Sequence, residues 1–147
     1  MQFKDKVIIT APRERVWEFL TDPHAVAACA PGLESVDILV PDEQFEVKGS
    51  VGFGTVHLHF LATVEWLSLE PMEKAQLKAH GTAPGSVMDA TASMTLHTLS
   101  SAETELEWVA DITVSGTIAS LASRMMGSVT KKLTGAFFSC VKREIET

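Results

Sequence analysis

Residues 112–140 read ITVSGTIASLASRMMGSVTKKLTGAFFSC, and the fold turns on a change of rhythm inside that stretch. Up to Ser115 apolar and polar residues alternate, as in a strand with one wet face; from Ile118 the apolar positions return every three or four residues. Ile118, Leu121, Ala122, Met125, Met126, Val129, Leu133, Ala136, Phe137 and Cys140 fall within an arc of roughly 160°, with Ser120, Arg124, Lys131 and Lys142 opposite. This predicts one amphipathic helix running to the end of the chain. At 1.5 Å per residue it is about 45 Å long, enough to lie diagonally across a sheet.

Upstream of that helix the pattern has period two. Between Glu34 and Ser115 it predicts six strands, at about 33–40, 44–51, 55–69, 73–82, 87–99 and 103–115. They are joined at Pro41-Asp42, Gly52-Phe53-Gly54, Glu70-Pro71, Pro84-Gly85 and Ser100-Ser101, each carrying a turn residue. Residues 2–9 alternate as well, with Phe3, Val7 and Ile9 apolar, and add a seventh strand. Two short helices follow the first strand. The first has Pro12 in its opening turn, Val16, Trp17 and Leu20 at helical spacing, and Asp22-Pro23 as its stop; the second, 24–29, ends at Pro31-Gly32. The order is α+β: a seven-stranded antiparallel sheet curved around a long terminal helix, within one domain spanning 1–147. A curved sheet bends away from a straight helix, so an apolar cavity is expected between them.

Composition agrees with one domain. The 147 residues are 46% hydrophobic and 21% charged, and surface scaling gives a folded area of roughly 7,400 Å². Twelve Lys and Arg against nineteen Asp and Glu give a net charge of −7, the wrong sign overall for a nucleic acid or an anionic bilayer. The opening MQFKDKVIIT has no apolar core followed by a cleavage site, so no export is expected, and the stretch from Ile112 to Met126 is too interrupted to cross a membrane. Cys29 and Cys140, the only cysteines, are too few and too far apart for a disulfide framework or a thiolate metal site. They are expected to be reduced, in a cytoplasmic protein.

Catalytic and metal constellations are sparse. His57 and His59 share one face of a strand, but Leu58 and Phe60 hold the other face, the one expected inside, so a solvated pair outweighs a metal site. His80 and His97 join them only if their strands are adjacent and in register. Asp89, Glu107 and Asp111 fall on the outward parity; only a one-residue bulge would turn one inward. There is no GxSxG elbow, and VGFGTV and APGSV lack nucleotide-loop spacing. Neither catalytic residues, a metal nor a cofactor is expected.

The inward positions are apolar or small throughout. Phe45, Val47, Phe60, Ala62, Met88, Met94, Trp108, Met125, Val129 and Phe137 are the candidate lining of a plastic pocket for a flexible or planar apolar ligand. The competing reading is ordinary core, although the inward alanines leave volume unfilled. Phe53, at a turn between two glycines, and Phe138, on the polar back of the last helix, are candidate partner or membrane contacts; the plainer alternatives are that Phe53 covers a strand end and that Phe138 packs under the N-terminal loop or is a single tolerated aromatic. Gly127 and Gly135 each cost that helix about 1 kcal/mol against Ala, which suggests a close approach or a bendable lid.

The run APRERVWEFLTDPHAVAACAPGLESVDI at 11–38, the Gly-Thr-Val turn at 54–56 and ADITVSGTIASLASRMM at 110–126 resemble the carbon monoxide dehydrogenase CoxG family over about residues 3–141. Trp17, Asp22-Pro23, Pro31-Gly32 and Gly116 carry the likeness. The resemblance implies a START-like helix-grip fold and a non-enzymatic accessory protein. By the same resemblance it would bind a lipid or quinone, dock on molybdenum hydroxylase subunits and make peripheral contact with the inner face of the membrane. Many family members continue into an apolar tail; none follows Thr147 here, so a soluble carrier or adaptor is expected rather than a self-anchored protein. An aromatase/cyclase-type enzyme of the same superfamily and a ligand-free recruitment or maturation module are the alternatives.

Overall fold

The computed structural model describes residues 1–146. β1 (Gln2–Ile9) leads to α1 (Arg13–Leu20) and α2 (Pro23–Cys29). Then come β2 (Leu33–Val40), β3 (Gln44–Phe53), β4 (Val56–Glu70), β5 (Lys74–Ala83), β6 (Ser86–Ser100) and β7 (Glu103–Gly116), and α3 (Ala119–Ile145) closes the chain. The seven strands form one antiparallel sheet in the order β1-β7-β6-β5-β4-β3-β2. It is a meander with the first strand brought round to the last, in register from Gln2 opposite Asp111 to Ile9 opposite Thr104. Register shifts in β2, β4 and β6 add bulges, which increase local twist and let the sheet curl about α3.

Local chemistry sets the joints. Asp22-Pro23 does more than stop α1: the Asp22 carboxylate accepts the His24 backbone N–H at 3.0 Å, and Pro23 occupies the first turn of α2. Pro12 lies one residue ahead of α1 instead of in its first turn. At the β7–α3 joint Gly116 has φ +97°, and a Cβ there would stand 2.2 Å from the Gly85 carbonyl oxygen, so only glycine lets β7 cross the β5–β6 turn so closely.

Two apolar clusters flank the sheet's concave face. The larger gathers Ile9, Val16, Trp17, Leu20, Ala75, Leu96, Leu106, Val141 and Ile145, where α1, α2 and the end of α3 pack together. The smaller holds Phe53, Ala122 and Met126, with Leu58, Ile112, Val114 and Ile118 against them, under the first half of α3. The apolar face of α3 therefore drifts along its length, ending at Val141 and Ile145, and Ala136 is exposed. A straight helix meeting the sheet at one end and two helices at the other changes the side on which it is covered.

The structure departs from several expectations. Cys29 and Cys140, 111 residues apart in sequence, form a disulfide with Cα atoms 5.4 Å apart, because α2 packs on α3. The expectation of a reducing compartment loses its ground with it. Phe53 is only 5% exposed and faces inward, as the strand parity of β3 continues through the turn, so it presents no outer contact surface. Phe138 is half-buried against the larger cluster and meets the Phe137 ring edge-on at 5.0 Å, so it is a packing residue. Gly127 and Gly135 have open space where a Cβ would lie, which removes close approach as their reason.

Candidate ligand cavity

A cavity of about 450 Å³ lies between α3 and the half of the sheet that carries the β3–β4 and β5–β6 turns. That volume is in the range of small-molecule sites. Of the ten candidate residues, Phe60, Met88, Trp108 and Val129 border it. The other six do not. Phe45 packs on Trp66, ring centres 6.4 Å apart; Val47 and Ala62 are buried in the sheet's packed face; Met94 and Phe137 belong to the larger cluster; Met125 joins the smaller cluster near Gly54. Parity places a side chain on a face but says nothing of where along the strand α1 and α2 have filled the space.

In their stead the wall is completed by Val51, Phe53 and Leu58 from β3 and β4, Ala110, Ile112 and Val114 from β7, Ile118 at the N-cap of α3, and Met126 and Leu133 from α3 itself. Leu58, Ala110 and Ile112 stand on the parity already identified as inward, so the signal for them was present and only their distance along the strands was not. Polar groups on the wall are Ser50, Thr82, Ser86, Thr130 and Thr134. The Thr134 hydroxyl donates to the Thr130 carbonyl at 2.9 Å, within the helix itself. Ser86, 7% exposed, has a hydroxyl with no hydrogen-bond partner.

None of the described residues lining this cavity is ionisable. The four groups on which an enzymatic reading depends lie on the opposite, convex face. His80 Nδ1 meets Asp89 Oδ1 at 2.6 Å, His97 Nε2 meets Glu107 Oε2 at 3.4 Å, and Gln2 Nε2 donates to Asp111 at 3.3 Å. A separate depression on that convex face, about 510 Å³, is walled by solvated charges such as Glu65 and Lys78. His57 and His59 are exposed, with His59 Nδ1 4.0 Å from Glu34, and the described residues hold no group of three or more potential ligands suited to a metal. No helix among them is long and apolar enough to cross a membrane.

Solved structures repeat this architecture. A conserved protein from Geobacillus kaustophilus superposes with a TM-score of 0.92 at 23% identity, over 99% of this chain and 95% of that one. The Zhui aromatase/cyclase of a Streptomyces species gives 0.76 at 21% identity over 99% and 93%, and a START superfamily protein from Mycobacterium smegmatis 0.76 at 12% over 99% and 97%. At these identities the likeness establishes the fold, a START-like helix grip. None of the curated proteins compared by sequence matches. The family model for the carbon monoxide dehydrogenase component CoxG does match, from residue 6 to residue 146, and so nearly the whole chain, including the cavity and the helix that closes it, belongs to the carbon monoxide dehydrogenase CoxG family.

Proposed function

We propose that this protein is a non-enzymatic accessory protein that holds an apolar ligand, a lipid or a quinone, between its sheet and α3 and docks on a molybdenum hydroxylase. The observation that carries the ligand reading is the 450 Å³ cavity, walled by Phe53, Phe60, Met88, Trp108 and Met126 and free of ionisable side chains among the described residues. Such a wall rewards burial of apolar surface at about 25 cal/mol per Å² and offers nothing to hold a charged substrate. Docking on the hydroxylase is supported by family membership.

An aromatase/cyclase-type activity would need a group able to move a proton inside the cavity. Asp89, Glu107, Asp111 and His97 stand across the sheet from it. The basic back of α3, with Arg124, Lys131, Lys132 and Arg143 exposed, supports peripheral contact with an anionic membrane surface, where a carrier of this kind would load. Native mass spectrometry of the purified protein, paired with organic extraction, tests the ligand reading. A co-purifying lipid or quinone, or uptake of an added quinone at one per chain, is the expected result; a protein that takes up neither refutes it.

A further inference from the structure

We propose that Ser86 is a hydrogen-bonding anchor for one oxygen of the ligand, which makes that ligand an apolar body bearing a carbonyl or hydroxyl group. This rests on the reading of the cavity as a ligand site. Only two polar side chains are buried among the described residues, Thr104 and Ser86. Thr104 donates to the Ala11 carbonyl at 2.8 Å and is satisfied; the Ser86 oxygen is shut off from water and has no partner. A buried hydroxyl left without a partner is a persistent cost, and such groups call for an explanation.

Its position supplies one. Ser86 is the first residue of β6, two before Met88, and so shares Met88's face, the face of the cavity. Its backbone is held in place: it pairs with Ala83 and Gly116, and Thr117 bonds the Gly85 carbonyl through its N–H at 2.9 Å and its hydroxyl at 3.2 Å. In its present rotamer Oγ is sealed from open space, the cavity included. Rotation about Cα–Cβ to another staggered well would turn it to the lumen, where the hydroxyl, its hydrogen turning about Cβ–Oγ, both donates and accepts. It can therefore turn to a ligand oxygen without any movement of the strand. That places the oxygenated end of the ligand beside the β5–β6 turn and its apolar body against Phe60, Trp108 and Val129.

Displacement of a fluorescent dye by two matched pairs of probes tests the anchor: 2-methyl-1,4-naphthoquinone against 2-methylnaphthalene, and 1-decanol against decane. In the unaltered protein the oxygenated member of one pair or both binds about five- to tenfold more tightly than its hydrocarbon, the ring pair reporting a quinone-like ligand and the chain pair a lipid. Ser86→Ala brings that ratio close to one while hydrocarbon affinity stays level or rises. Ser86→Cys, similar in volume with a weaker donor, falls between. An oxygen preference that Ser86→Ala leaves intact, or no preference in the unaltered protein, overturns the anchor and leaves the cavity reading standing. Failure of all four probes to bind overturns the cavity reading together with the anchor. Thermal unfolding without ligand adds an independent readout: Ser86→Ala keeps or raises Tm, and a clear drop overturns the proposal by revealing a partner in the empty protein.

Discussion

Ala110, midway along β7, shows how a small side chain can matter through what it leaves open. It lies between Ala92 and Phe3 in the ladder and borders the cavity. Ala110→Leu adds three carbons on that side. Burial of about 0.8 kcal/mol per CH₂ predicts a Tm equal to or above that of the parent, while uptake of apolar probes falls at least about tenfold. Dye displacement and thermal melting read the two effects separately, and unchanged uptake would place the ligand elsewhere. Cys140 makes the complementary case of a residue that acts by tethering. The Cys29–Cys140 bond closes a loop with a sequence separation of 111 residues. Cys140→Ser is expected to cost about 2–4 kcal/mol in denaturant unfolding without reductant, and a reducing agent should bring the parent to the same midpoint. Equal midpoints for the parent and the variant without reductant would show that the bond contributes nothing.

Among the elements α3 has the most distinctive charge. Arg124, Lys131, Lys132, Lys142 and Arg143 stand against Glu144 alone, so the helix carries +4, and the rest of the chain −11, within a total of −7. None of the five joins an ion pair among the described residues. An overall negative charge thus conceals a basic stripe, each residue of which is worth about 1 kcal/mol at an anionic bilayer. Vesicles of 30% phosphatidylglycerol should pellet the protein at low salt and release it as salt rises, and Lys131→Glu with Lys132→Glu should abolish pelleting; equal pelleting of the variant would exclude this face. The elements themselves were largely legible. β2 occupies 33–40 as the alternation predicts, and the longer strands overrun their predicted ends by a residue or two because hairpin residues continue the ladder, as Phe53 does opposite Val56. The cavity was legible as a face and not as a place. Phe60 and Phe45 have the same parity, and only the packing of α1 and α2, a long-range matter, decides that one borders space and the other Trp66. The same packing joins Cys29 to Cys140, which no local pattern discloses.

Over the whole molecule the two ends differ in how firmly they are filled. The accessible surface is 8150 Å², against roughly 7,400 Å² expected for a chain of this mass. The walls of the cavity contribute to that excess. Amide exchange should follow the division. Ile9, Leu96 and Leu106, fully or nearly fully buried in the larger cluster, should exchange last, while the β3–β4 turn and the first turns of α3 open first and gain protection when a ligand fills the lumen. Uniform protection along β3 and β7 with no response to ligand would contradict this. The placement of β1 beside β7 also bears on how the chain assembles. Gln2 pairs with Asp111 and Ile9 with Thr104, so the first of these seven strands to be made must wait for the last one. Its apolar side chains stay without a partner strand while the meander is made, and closing that longest loop is costly before any contact rewards it. Folding should therefore be slow for a protein of this size, with β1 docking late and the nascent chain relying on chaperones until residue 116 has emerged.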